Sequence, residues 1–176
     1  MKKIIVLILA MTIASTLVAC GGNSGKEVKF VTMTFGDITM SVPNVFNAVK
    51  LEQEFYVSGG PNASITVSPA MEIDLLPSEW DESVAEGILE ALYGSTYTDL
   101  ELGAFEGNVD MNGNTAVYMA FYGINSSGVD RLLQVVRLYN MDKNELYIIT
   151  LMHSADDEFF TTEIDGKIIN SITLKS

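Results

Sequence analysis

The chain has 176 residues, 48% of them apolar, and carries 23 Asp and Glu against 10 Lys and Arg, a formal charge of −13. That length suits about one domain, large enough to bury a core without covalent staples, and the single cysteine excludes a disulfide framework. The charge argues against nucleic acid, because gripping phosphates takes clustered Lys and Arg, and against adsorption to an anionic lipid surface.

The chain opens Met1-Lys2-Lys3, follows with an eight-residue apolar run from Ile4 to Met11, and is then diluted by Thr12, Ser15 and Thr16. These are the zones of a secretory signal, and the run is short of the ~20 apolar residues a membrane-spanning helix needs. The segment closes on Leu17-Val18-Ala19-Cys20. That tetrapeptide resembles the lipobox of bacterial lipoproteins: Leu, a small or aliphatic residue, Ala or Gly, then an obligatory Cys. The resemblance implies that Cys20 is the first residue of the mature protein and carries a diacylglyceryl thioether with palmitate-like chains. The domain would then be held on the extracytoplasmic side of the cell membrane. One acyl chain anchors only marginally, and two anchor stably. The competing readings are an ordinary signal peptide cut at another site and an uncleaved anchor.

Removing a 19-residue leader leaves 157 residues and, because Lys2 and Lys3 leave with it and no acid does, a charge of −15. With Cys20 lipidated no thiol remains for a nucleophile or a thiolate-ligated metal. Residues 20–27 form a lipidated Cys and a flexible tether, Gly21-Gly22-Asn23-Ser24-Gly25-Lys26-Glu27. A phosphate-binding loop is excluded there, because the glycine spacing is wrong and Glu27 stands where Ser or Thr is required. Residues 28–176 are expected to form one α+β domain.

Residues 28–35 are rich in β-formers, and Gly36-Asp37 turns them into the strand Ile38–Val42, which Pro43-Asn44 ends. Glu54–Ser58 is another short strand. A turn at Gly59-Gly60-Pro61-Asn62 leads to Ser64–Ser68, which alternates cleanly. Pro77-Ser78 then opens a helix, with Ser78 as cap and Asp81 completing a capping-box-like pattern. Trp80, Val84, Ile88 and Ala91 fall within about an 80° arc of it, and Glu79, Glu82, Glu86 and Glu90 fall opposite. Gly94 is its stop. Like charges four apart each cost a few tenths of a kcal/mol, so the acidic ridge does not serve helix stability. It is either a solvated face or a docking face for a basic partner.

From Thr98 to Met152 the chain returns to strands. Asn112-Gly113 signals a type I′ hairpin joining Glu106–Met111 to Thr115–Tyr122. Arg131–Tyr139 and Leu146–Met152 follow. Leu132, Val136 and Leu138 lie on one face of the first, Leu133, Val135 and Tyr139 on the other, so both faces need cover. Two helices, one per face, are the economical arrangement. The second helix is expected after Ser154, with Asp156, Asp157 and Glu158 in its positive first turn. Phe160, Ile164 and Ile168 are its buried stripe, flanked by Phe159 and Ile169. Ile172-Thr173-Leu174 adds a last contact after the Asn170-Ser171 stop.

This layout resembles the PsbP-like family on three features: the early hairpin ending Ile38-Thr39-Met40-Ser41-Val42-Pro43, the acidic helix after the fourth strand, and the stretch Glu145–Ile172. The resemblance implies an antiparallel sheet of about six to eight strands sandwiched between two main helices. The family includes an extrinsic subunit of photosystem II, a Ran-binding nuclear protein and small bacterial lipoproteins. They assist larger partners, and catalysis is not their common theme. No family metal site matches, so no functional residue carries over.

The residues themselves carry little chemistry. His153, the only histidine, stands beside Ser154 and Asp156, but no Gly-x-Ser-x-Gly elbow accompanies it. A helix start explains those two residues better than a triad, and one His without a thiol lacks ordinary zinc ligands. Asp110-Met111-Asn112-Gly113-Asn114 lacks the calcium loop's Gly at position six (Thr115) and Glu at twelve (Phe121), so the hairpin reading stands. Arg131 and Arg137 share a strand face roughly 20 Å apart, too far to clamp one anion. Their expected partners are cross-strand carboxylates. Tyr118, Tyr122, Tyr139 and Tyr147 are core or sheet-face aromatics, or else line an open aromatic groove. The expected function is a non-enzymatic, lipid-anchored accessory protein docking onto a larger membrane or envelope component, without cofactor, metal or nucleic acid. The alternative is a small-ligand or divalent-cation receptor, with an enzyme third.

Overall fold

The structure is a computed structural model and describes residues 28–50, 56–60 and 62–175; Cys20 and the expected leader and tether lie outside them. β1 (Phe30–Phe35) and β2 (Ile38–Pro43) form the expected hairpin, β3 (Asn47–Lys50) and β4 (Tyr56–Gly60) follow, and β5 (Ala63–Val67) pairs with β4. After β6 (Met71–Glu72) come a 3-10 turn at Pro77–Glu79 and α1 (Glu82–Tyr93). β7 (Tyr97–Met111), β8 (Asn114–Asn125), β9 (Asp130–Asn140) and β10 (Glu145–Ser154) then run as a meander, and α2 (Thr162–Asn170) and β11 (Thr173–Leu174) close the chain. Among the described residues the main sheet has eight strands, ordered β3-β4-β5-β10-β9-β8-β7 with β6 also pairing β10. Every pairing in it is antiparallel.

The centre of the molecule is β9, where seven consecutive residues, Leu133–Tyr139, are buried. Alternation sends Leu133, Val135 and Tyr139 to one core and Val136 and Leu138 to the other. Each fully buried aliphatic contributes roughly 1.5–3 kcal/mol, so neither face could be left to water. One face is closed by α1 and by Trp80. The other is closed by α2 through Ile164, Ile168 and Ile169, and also by the β1–β2 hairpin through Phe35, Ile38, Met40 and Val42. The first hairpin is therefore not part of the main sheet. With β11 it makes a separate three-stranded sheet, joined by the pairs Thr173↔Thr39 and Leu174↔Ile38.

Four local expectations are corrected. The turn before β5 does not include Gly59 and Gly60, since β4 runs through Gly60 and pairs with β5, and Asn62 takes a positive φ of 60°. The first helix starts at Glu82. Its cap is Asp81, whose carboxylate accepts from the Val84 amide at 2.9 Å, not Ser78. Residues 77–79 form their own turn, in which Glu79 Oε2 accepts from the Leu76 amide at 2.7 Å, and Trp80 is extended between the two. Glu79 and Trp80 are thus off the helix. The buried stripe is Ala85 and Leu89 with Val84 and Ile88 beside them, and Ala91 is exposed. The second helix likewise starts late, with Thr161 as cap accepting from Ile164. Asp156, Asp157, Glu158 and Phe160 precede it, although Phe160 is buried as expected.

The Asn112-Gly113 turn has positive φ at both residues (53° and 83°), as a type I′ turn requires. Asp110 accepts from the Gly113 amide at 2.9 Å, so that carboxylate serves the hairpin. The Asn112 side chain also donates to the Asn170 and Ile172 carbonyls at 3.0 and 2.8 Å, tying the hairpin to the end of α2.

His153 joins the sheet to α2. It is 2% exposed and stacks on Phe160 with ring centroids 4.8 Å apart. Nδ1 lies 2.8 Å from the Ser154 carbonyl, which only accepts, so Nδ1 carries a proton; Nε2 lies 3.0 Å from Asp165 Oδ2. The Ser154 hydroxyl instead donates to the Asp130 carbonyl, so no Ser–His arrangement forms. Asp165 sits in the first turn of α2, where the helix dipole favours a carboxylate. Burial pulls the His153 pKa down, but the Asp165 hydrogen bond, the Ser154 carbonyl and the Asp165 and Asp157 charges outweigh it, leaving a net rise. A raised folded-state pKa stabilises fully below the unfolded value and is lost as pH climbs through the folded one. The thermal midpoint should therefore fall as pH is taken upward from about 6.5. His153→Gln should flatten that slope, and a wild-type midpoint equally flat across this range would contradict the pairing.

Candidate functional site

The two faces of the main sheet are not equally closed. A single helix covers the α1 face, and two openings flank it. On the β7 side lies a groove of about 550 Å³ lined by Glu86, Leu89, Glu90, Leu100, Glu101 and Leu102. Three leucines and three glutamates line it, and the greater part of its exposed lining is polar. β7 is the edge strand, broken by register shifts at three places, with positive φ at Asp99 and Asn108. Such bulges twist an edge away from regular pairing and leave its side chains to shape the groove.

The acidic residues expected to act together divide. Glu82, Glu86 and Glu90 are exposed on α1, whereas Glu79 belongs to the preceding turn and its carboxylate is committed to Leu76. The ion pairs among the described residues are Arg137–Asp74, His153–Asp165 and Lys167–Glu163. Glu82, Glu86 and Glu90 therefore have no cationic partner among those residues, and the last turn of α1 carries no basic residue.

On the β9–β10 side of the helix is a smaller, mostly apolar cavity of about 70 Å³, walled by Trp80, Ile88, Leu89, Leu92, Tyr93, Met119, Phe121, Val135, Arg137 and Ile148. Arg137 is 4% exposed. Its Nη2 pairs with Asp74, its Nε donates to the Tyr139 hydroxyl at 3.4 Å, and its guanidinium stacks 4.8 Å from the Trp80 ring centroid. The indole Nε1–H of Trp80 is buried without an acceptor among the described residues. The Asp74 side chain is 65% exposed, so one partner of this ion pair is dry and the other wet. Sequence reasoning singled out Arg137 and expected a cross-strand carboxylate; the carboxylate is Asp74, which lies on no strand, and the meeting with Trp80 was not foreseen.

The other singled-out residues are structural. Arg131 shares Arg137's face, but its Nη1 donates to the Asn62 carbonyl at 3.2 Å rather than to a carboxylate. Tyr139 and Tyr147 are core residues, the latter reaching Glu145 and Asp37 at 3.2 and 3.3 Å. Tyr118 and Tyr122 share a sheet face through the pairs Tyr118↔Val136 and Tyr122↔Leu132. Tyr118 donates to Gln134 at 2.9 Å, and burial, with the Asp165 charge second, pushes its phenol well above the ordinary range. Gln134 Nε2 and Asp165 Oδ1 are buried without partners among the described residues. No three His, Cys, Asp or Glu side chains among the described residues stand close enough to hold a metal ion.

No family model and no curated protein matches the sequence. Solved structures match in shape. The cyanobacterial PsbP protein CyanoP from Synechocystis sp. PCC 6803 superposes with a TM-score of 0.59 at 15% identity, covering 90% of this chain and 98% of its own. The Saccharomyces cerevisiae Ran-binding protein Mog1p superposes at 0.53 and 14% identity, covering 85% and 96% respectively. At such identities the likeness speaks to architecture, and the domain has the PsbP-like α+β sandwich fold.

Proposed function

We propose that this chain is a non-enzymatic, lipid-anchored extracytoplasmic accessory protein that docks a basic, amphipathic segment of a larger membrane or envelope component. The observation that carries the reading is the groove between α1 and β7. It sets Leu100 and Leu102 beside Glu86, Glu90 and Glu101, carboxylates that no cation within the described residues neutralises. Leucines bury the apolar side of an incoming segment, while Glu86 and Glu90 select its charge and speed its approach. A fold that in Mog1p belongs to a Ran-binding protein is compatible with such a role, although fold does not assign function. The address rests on Cys20 at the end of a leader-like segment, and two acyl chains would make the attachment stable.

Two measurements test this. Fluorescence anisotropy with a labelled Lys/Leu amphipathic helix should show binding that weakens with salt, since rim charges are screened over about 10 Å at 0.1 M. Glu86→Lys with Glu90→Lys should weaken it by roughly tenfold or more. Asp142→Lys with Asp156→Lys, the same charge change at exposed sites away from the groove, should cost far less. Equal losses for both pairs would reduce the groove to general electrostatics. For the anchor, intact-mass analysis of the native product should find residues 1–19 gone and Cys20 acylated. A free thiol there, or the leader still joined, overturns the membrane address.

A further inference from the structure

The geometry points to a pH-operated latch at the start of α2: a doubly protonated His153 holds the first turn of the helix against β10, and loss of its proton frees that turn while the far end of α2 stays bound. Both ring nitrogens face atoms that only accept. Nδ1 lies 2.8 Å from the Ser154 carbonyl and Nε2 lies 3.0 Å from Asp165 Oδ2. A neutral imidazole has a single N–H, so either tautomer would set a ring lone pair against an oxygen lone pair. Only the imidazolium satisfies both contacts. The groups around it favour that charge. Asp165 faces it from α2 and Asp157 from the loop before the helix. Across the sheet, β9 and β5 place the uncharged Leu132 and Ala63 opposite it, and Phe160 stacks on the ring. Tyr118 of β8, whose phenol feels Asp165 and then Glu106 of β7, stays neutral.

What the proton holds in place is the carboxylate of Asp165. That residue is 6% exposed, its Oδ1 has no hydrogen-bond partner among the described residues, and His153 is its cation in the ion pairs among them. When the imidazolium gives its proton to solvent, Asp165 becomes a buried charge without a counter-charge, which is strongly destabilising. Asp165 lies in the first turn of α2, so lifting that turn returns the carboxylate to water. The other end of the helix is tied separately. Asn112 donates to the Asn170 and Ile172 carbonyls, the Ser171 hydroxyl accepts from the Ser41 amide at 2.8 Å, and β11 pairs with β2. None of these bonds involves His153, so the opening is local rather than global, as sub-global openings in proteins commonly are. The latch lies on the face opposite the acidic groove, and either can fail without the other.

The chain has one histidine, so NMR of its ring nitrogens reports on the latch without overlap. At about pH 7 an ordinary histidine, with a pKa of about 6.5, is mostly neutral; here both ring nitrogens should be protonated in most molecules. As the pH is raised further, the ring should lose a proton. Hydrogen-exchange protection at the Ile164 and Asp165 amides, corrected for the intrinsic rate, should fall roughly tenfold or more with the same midpoint. The amides of Ser171, β8 and β9 should keep theirs. Asp165→Asn preserves the shape of the side chain and offers an N–H to a neutral ring whose own proton stays on Nδ1. In that variant the ring should be neutral at about pH 7, and protection at the start of α2 should no longer fall as the pH rises. A mostly neutral ring in the wild type at about pH 7 overturns the proposal. So does deprotonation that leaves Ile164 and Asp165 protected, a loss of protection shared equally with β8 and β9, or a ring in Asp165→Asn that titrates as in the wild type.

Discussion

The structure depends on β9 and β10 being buried from both sides. A strand with apolar residues on both faces cannot sit at a water-exposed sheet, so the chain must supply two covers and place the strands between them. That requirement orders everything else. It sends the segment after β5 across one face as α1, returns the chain along the far edge as β7, and brings α2 and the β1–β2 hairpin together over the other face. It also makes the few polar residues at the centre informative. Arg137 and Gln134 are buried on β9, and His153 on β10: Arg137 pairs with Asp74 and His153 with Asp165, while Gln134 accepts from Tyr118.

The two covers differ in kind. On the α2 side, a helix and a three-stranded sheet close the core together. They are stitched by hydrogen bonds across long sequence separations: Asn112 to the end of α2, Tyr147 to Asp37, and His153 to Asp165. On the α1 side one amphipathic helix covers the sheet alone. It leaves a groove on one flank and a cavity on the other, and its outward face carries carboxylates without ionic partners among the described residues. Stability is concentrated on one face and open chemistry on the other. That division is why the functional reading is drawn from the α1 face, and why the buried histidine is read as a structural group.

Much of this was legible from local signals. Asn112-Gly113 specified its hairpin because only such a pair tolerates positive φ twice. The alternation within Leu132–Tyr139 specified two cores because the strand period is two. Helix starts were harder. Pro77-Ser78 looked like a beginning, yet a short turn that consumed Glu79 intervened, and Asp81 was the better-placed cap. At α2 a run of acids resembled a first turn, but the chain needed those residues as a loop so that Phe160 could reach His153. What stayed hidden was non-local: the pairing of β11 with β2, the reach of Asp165 to His153, and the meeting of Asp74, Trp80 and Arg137. No pattern within one element encodes such meetings, since each is made by three-dimensional closure. The acidic ridge was legible in part, with Glu82, Glu86 and Glu90 keeping their place and Glu79 leaving it.

If the α1 face is where this protein meets its partner, backbone hydrogen exchange should say so without any substitution. Adding a saturating basic amphipathic helix should slow exchange in α1 and in the first half of β7, around Leu100 and Leu102. The amides of α2 and of the β1–β2 hairpin should be unchanged. Protection centred on α2, or spread evenly over both faces, would contradict the account.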